Sequence, residues 1–259
     1  MTVGCAVGKE DEDDQLVRYV VVDRVATITL ASPLNRNALS HRLLADLNAA
    51  LERAERADVR AIVLTHVGAV FCAGADLKER LAGRPPDSSL MTCAIQRLST
   101  MAAPSIAAVK GAARAGGIGL MAACDLVVVD RSVTFAFTEV RVGVAPAIIS
   151  VPILARCGWS ALAAPFMTGE AFDATVAREM GLVTHVSDDV DATVATLVTG
   201  VLHAAPSAVA ATKKILRERS AVMSDMQELS DSLFDSAEAR EGMNAFLAGR
   251  QPSWAPKLA

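Results

Sequence analysis

Between Leu16 and about residue 188, short valine- and isoleucine-rich runs take turns with stretches whose apolar residues recur every three or four positions. LVRYVVVDRVATITL alternates on either side of Asp23-Arg24, which predicts a hairpin of two strands. After Ser40, the spacing of Leu43, Leu44, Leu47, Leu51 and Ala54 predicts a helix with Ser40 as its N-cap. VRAIVLT (59–65) reads as a buried strand. A helix over Ser88–Met101, the strand PSIAAVKG, a short helix after Gly116-Gly117 and the strand DLVVVD (125–130) follow. Apolar strands of this kind are buried by covering them with helices, so the alternation predicts an α/β core with a largely parallel sheet. The strand signals end at LVTHV (182–186), and residues 189 to 248 read as helices alone. The expected organisation is an acidic flexible tail over 1–14, a core over 15–188 and a C-terminal helical region over 189–259.

Composition narrows the function classes. The 259 residues are 52% apolar, enough for a large core with some surplus for a subunit interface. A net charge of -4 provides no global basic field, so neither nucleic acid nor an anionic membrane is an expected partner. Cys5, Cys72, Cys93, Cys124 and Cys157 are odd in number and lack C-x-x-C spacing. They suit a reducing compartment and predict neither a disulfide framework nor a zinc site. With no basic-then-apolar leader at the N-terminus, a cytoplasmic location is expected. His41, His66, His185 and His203 show no metal spacing, and no metal is expected. KKILRER (213–219) reads as a solvated helix face, and Met167, Met180 and Met223 as core fillers.

Three segments carry candidate chemistry. In AVFCAGADLKER (69–80) a strand-like run ends in small residues before a helix start, leaving backbone N–H groups able to face a negative oxygen. An ordinary strand-to-helix turn capped by Asp76 explains the same residues. In KGAARAGGIGLMAACD, Gly116-Gly117 precede a second apolar helix; close helix–sheet packing is the alternative. Two such loops could supply one donor each to an oxyanion hole. In FAFTEVRVGVAPAIIS (135–150), Glu139 stands in an apolar stretch, which raises a carboxyl pKa toward general acid/base use. A surface glutamate paired with Arg141 is the other reading.

In this order, and with PLNRNALS before them and TGEAFDATVAREMGLVTHV and EGMNAFL after, these segments resemble the enoyl-CoA hydratase/isomerase (crotonase) superfamily from about Leu16 to Phe246. The resemblance implies a spiral of ββα turns with an all-helical C-terminal trimerisation region, assembled as a homotrimer or a dimer of trimers. It implies an acyl-CoA thioester substrate, with no cofactor beyond the coenzyme A of that substrate. The oxyanion donors it implies are the N–H groups of Ala75 and Gly116. Asn35, Arg36, Ala38, Ala73, Asp76 and Leu77 match the loops beside the CoA nucleotide. Phe246 matches a C-terminal aromatic that reaches CoA across a subunit boundary, and Arg250 stands near the place of a phosphate-contacting lysine.

The chain departs from the two-glutamate pattern of the family's hydratases. Glu139 matches the second glutamate, but the first aligns with Gly119, and Ala147 fills a position where some relatives carry another acid. A glycine at this place resembles a methylglutaconyl-CoA-hydratase-like subgroup. Three readings follow: a hydratase using Glu139 alone, a double-bond isomerase using Glu139 alone, and an acyl-CoA-binding protein with little turnover. Glu139 beside two donor loops favours an enzyme, with the hydratase first and the isomerase second. The hydratase needs a water beside Glu139, which the space left by Gly119 houses if a second polar group holds it, whereas an isomerase keeps that space dry.

Overall fold

The computed structural model describes residues 15–82, 88–217, 223–234 and 236–256. The acidic tail assigned to 1–14 lies outside the described residues, as do the last two residues of KKILRER.

The first hairpin is β1 (Val17–Val22) and β2 (Val25–Leu30), antiparallel about a turn in which Asp23 and Arg24 both have positive φ. Helix α1 (His41–Arg56) begins at Ser40, whose side chain accepts from the Leu43 N–H, and buries its leucine stripe. From here the chain makes a repeated excursion: one strand into a large sheet, one short strand into a small sheet, then helix. The first turn is β3 (Ala61–His66), β4 (Val70–Cys72), α2 (Leu77–Leu81) and α3 (Ser89–Thr100). The second is β5 (Ser105–Val109), β6 (Ala112–Arg114) and α4 (Gly116–Ala123). The third is β7 (Leu126–Asp130), β8 (Thr134–Ala136), a 3-10 turn at Thr138–Val142, α5 (Ala147–Leu154) and α6 (Trp159–Thr168). Then come β9 (Phe172–Asp173), α7 (Ala174–Glu179) and β10 (His185–Ser187). The chain continues as α8 (Val190–His203), α9 (Pro206–Arg217), α10 (Met223–Phe234) and α11 (Ala237–Leu247).

The single largely parallel sheet expected from the alternation is two sheets. The larger runs β1-β2-β3-β5-β7-β10, parallel from β2 onward, and the smaller runs β4-β6-β8-β9. The small-sheet strands are two or three residues long, too short to show a period of two. The result is the ββα spiral implied by the resemblance.

Helix α4 lies at the centre. Seven of its eight residues are buried, and its apolar side chains point all round rather than to one face. Burying Ile118, Leu120 and Met121 stabilises the fold by about 1.5–3 kcal/mol each. Two sequence readings are corrected. Lys213 is 7% exposed and ion-paired to Asp125, so within KKILRER the solvated face is residues 214–216, while Lys213 turns inward. Met167 is 72% exposed on α6 rather than a core filler. Among the described residues no single helix is long and apolar enough to cross a membrane.

Candidate active site

Three loops meet at the ends of the small-sheet strands. The loop after β4 is held against residues 36–39 by three backbone bonds. The Ala73 N–H donates to the Arg36 carbonyl (3.0 Å), that of Leu39 to Gly74 (2.8 Å) and that of Asp76 to Leu39 (3.4 Å). Fully buried Asn37 anchors this pair of loops from beneath: its amide donates to the carbonyls of Val67 (3.1 Å) and Val70 (2.8 Å) and accepts from the Ser32 N–H (2.8 Å). Asp76 caps α2, its carboxylate accepting from the N–H groups of Lys78 and Glu79 (3.0 and 3.2 Å). Within this stitching the Ala75 N–H has no partner among the described residues.

The second loop is brought alongside by close approach. A Cβ at Gly117 would lie 2.6 Å from the Cβ of Cys72, so only glycine lets α4 start directly against the end of β4. Ala115, the residue before α4, is an alanine at φ 48°. That left-handed reversal costs of order 1–3 kcal/mol and marks the turn that starts α4 toward the first loop. As the first residue of the helix, Gly116 has an N–H with no intrahelical acceptor, and it has no other partner among the described residues. Cys72 is buried, and desolvation pushes its thiol up to about 12, far from the range of a nucleophile.

Glu139 enters from the third loop. Phe137 packs edge-on against Phe166 of α6 (4.4 Å) and beside Phe172 of β9 (5.6 Å), which fixes the 3-10 turn on the core. The half-buried Glu139 has an Oε2 atom that is buried with no hydrogen-bond partner. Burial raises its carboxyl above the ordinary carboxylate range, opposed in part by a backbone hydrogen bond. Arg141 does not pair with it; its Nε donates to the Thr168 carbonyl (3.0 Å).

Ala75, Gly116 and Glu139 line one cleft of ≈ 320 Å³, otherwise walled mainly by apolar groups that include Leu39, Met91 and Ile149. Two free donors and one carboxylate with an unpartnered oxygen in an apolar chamber can polarise a carbonyl and move one proton beside it. Gly119 does not open into this cleft as expected. A Cβ there would lie 2.8 Å from the Cβ of Ile149 and closer still to its Cγ2, so Ile149 already occupies the space in which a water was anticipated. Gly119 serves the packing of α4 on α5.

The other predicted residues divide. Asn35, Arg36, Ala38, Ala73 and Asp76 stand together on the two stitched loops, and Leu77 follows at 52% exposure. The Asn35 Oδ1 is buried without a partner. Phe246 stands apart on α11, 84% exposed and outside the cleft lining. Arg250 forks onto Glu241 at 2.8 and 2.9 Å, so its guanidinium is engaged within the chain. Sequence reasoning passed over Asn37, Ala115 and the pairing of Ile149 with Gly119. The asparagine at the end of a turn was the available signal for the first; the other two depend on contacts between elements.

The family model for enoyl-CoA hydratase/isomerase matches residues 22–257. The mevalonyl-coenzyme A hydratase sidH of Aspergillus fumigatus is 30% identical over 248 residues, which cover 90% of this chain and 92% of the relative. The crystal structure of an enoyl-CoA hydratase from Mycobacterium smegmatis is similar at TM-score 0.85 and 31% identity, covering 92% of this chain and 98% of that one. An enoyl-CoA hydratase from Mycobacterium avium is similar at TM-score 0.71 and 39% identity, covering 93% and 100%.

Proposed function

The chain belongs to the enoyl-CoA hydratase/isomerase family, and from that premise we propose that it hydrates a 2-enoyl-CoA thioester with Glu139 as its only acid/base. The observation that carries the reading is the buried, unpartnered Oε2 of Glu139 in the cleft that holds the free N–H groups of Ala75 and Gly116. In the proposed reaction, a water held by Glu139 attacks the β-carbon and gives a proton to the carboxylate. The electron pair of the double bond moves to the thioester oxygen, where the two N–H groups stabilise it, typically by about 3–4 kcal/mol per donor. The neutral acid then returns its proton to the α-carbon as the enolate collapses, so the net change is the gain of one water. The substrate's CoA moiety lies along Asn35, Arg36, Ala38, Ala73, Asp76 and Leu77, and a neighbouring chain's Phe246 completes the site in a homotrimer.

The Ile149 side chain against Gly119 favours a second reading. With no second carboxylate among the described residues that line the cleft, one base beside an oxyanion hole also suffices to move a double bond from the 3- to the 2-position. Crotonyl-CoA and a 3-enoyl-CoA separate the two when conjugated-thioester absorbance is followed and products are weighed. Hydration predicts a loss of absorbance from crotonyl-CoA with the mass of one water added. A rise in absorbance from the 3-enoyl-CoA, with crotonyl-CoA untouched, would overturn hydration in favour of isomerisation.

A further inference from the structure

Helix α4 presents Gly116 to the cleft at one end; its other end, about 12 Å away, stops inside the protein. A buried helix end leaves carbonyls that need donors. Here the Cys124 N–H serves Met121, and two arginines on separate elements serve Ala122 and Ala123, the latter joined by the Ser99 hydroxyl (3.4 Å). Arg156, just past α5, donates through Nε to the Ala122 carbonyl (2.8 Å) and through Nη2 to the carbonyls of Cys124 and Asp125 (3.0 Å for the latter). Arg217, in the last turn of α9, donates through Nη2 to the Ala123 carbonyl and to the Asp125 carboxylate, both at 2.8 Å. Lys213, one turn earlier on α9, pairs with the other oxygen of Asp125 (2.8 Å) and also reaches the carbonyls of Leu98 and Ala103. Ser105 completes that carboxylate's shell with its N–H and hydroxyl.

A cavity of ≈ 480 Å³ opens beside these groups, lined by Asp125, Lys213 and Arg217 with Leu126, Val209 and Leu216. At this point polar contacts, rather than packed apolar surface, join α9 to the core. One of them, from Arg217 to the Ala123 carbonyl, falls on the C-terminal end of the helix whose first residue, Gly116, carries a free N–H, and most of the rest hold Asp125 two residues beyond that end. Arg156 adds a link to α5, whose first turn lines the cleft through Ala147, Ile148 and Ile149.

We infer that Arg217, with Arg156, is a positioning residue: it fixes α4 along its axis from the C-terminal helical region and so sets where the Gly116 N–H points. The catalytic consequence rests on the functional reading above; the mechanical one does not. Misplacing a donor by about 1 Å costs up to about 100-fold in rate. A lost clamp is therefore a fault in kcat and not in ground-state binding of CoA.

The test uses Arg217→Met and Arg217→Lys, with Arg60→Lys as control. Arg60 is more deeply buried than Arg217, 5% against 27% exposed, and gives its guanidinium to the carbonyls of Val201, Leu202, Ala204 and Trp254, so it caps α8 and leaves α4 untouched. Two readouts are taken besides turnover. One is the near-ultraviolet band of the enolate that acetoacetyl-CoA forms when its thioester oxygen is stabilised. The other is hydrogen exchange at the Ile118 and Gly119 amides, which needs no substrate. For Arg217→Met the expected result is a weaker enolate band, faster exchange at both amides, and kcat down about 10- to 100-fold with KM within about twofold. Arg217→Lys keeps the charge but not the fork, and should fall between. Arg60→Lys should lower thermal stability without moving the band or those amides. If Arg217→Met does not fold, the intermediate values expected of Arg217→Lys carry the test. Wild-type band, exchange and kcat in a folded Arg217 variant would overturn the clamp. Faster exchange in a protein whose wild type neither turns over enoyl-CoA nor forms the band would instead leave the clamp standing and overturn the functional reading.

Discussion

At Glu139 the environment that suits catalysis works against folding. Burial favours the neutral carboxyl, so the native chain holds its proton more tightly than the unfolded chain does. Below the unfolded pKa both states are protonated and the group contributes no difference. As pH rises through the window up to the raised folded pKa, the native state binds more protons than the unfolded one and stability falls. Above that window the penalty is constant. Glu139→Gln, which keeps the shape and removes the charge, should therefore melt higher than wild type at pH 8. That advantage should shrink to nothing as the pH is lowered past the ordinary glutamate value of about 4.3. A variant that melts lower at pH 8 would mean that the carboxylate has a stabilising partner. The same shift places the acid limb of kcat/KM above the ordinary glutamate range, because the base must be ionised to accept the proton.

Among the elements, the contact between α4 and α5 is the tightest constraint on the site. Gly119→Ala drives a methyl into Ile149 and should cost about 1–3 kcal/mol, read as a lower denaturant midpoint with the slope unchanged. An unchanged midpoint would show that α5 yields freely and that Ile149 does not hold the space. Asn37→Ala should cost about 3 kcal/mol, since it strands two carbonyls and an N–H, and should speed exchange at the Leu39 and Ala73 amides. How much of this was legible follows from element length. Helix α1 and the strands β1, β2, β3, β5 and β7 announce themselves because five or more residues are enough to show a period. The three-residue strands β4, β6 and β8 and the two-residue β9 are not, and their sheet exists only because the large-sheet strands and helices place them side by side. The three site segments were legible for a related reason: each needs small residues or a lone carboxylate in a fixed order along the chain. That Ile149 fills the place facing Gly119 was not, because the two stand thirty residues apart and meet only through the docking of α5 on α4. The ion-paired burial of Lys213 was hidden likewise, since a lysine in a charge run looks the same whether it faces water or Asp125.

For the whole molecule, the described C-terminal helices leave much apolar surface uncovered in a single chain. Phe234, Phe246 and Leu247 are 66%, 84% and 82% exposed on α10 and α11. Their cover is expected from neighbouring copies, so light scattering should give three or six times the 27.1 kDa chain mass. Phe246→Asp should raise KM for the CoA thioester more than it lowers kcat; a monomeric wild type with full activity would contradict this. The proposed reaction turns on one carboxylate doing the proton work beside the two donor loops. The most direct measurement of that is kcat/KM of Glu139→Gln beside wild type on crotonyl-CoA and on a 3-enoyl-CoA, with thioester binding checked by calorimetry. A fall of about 10²–10⁴-fold with unchanged affinity is the predicted result. Activity within a few-fold of wild type would contradict it and remove Glu139 from the chemistry.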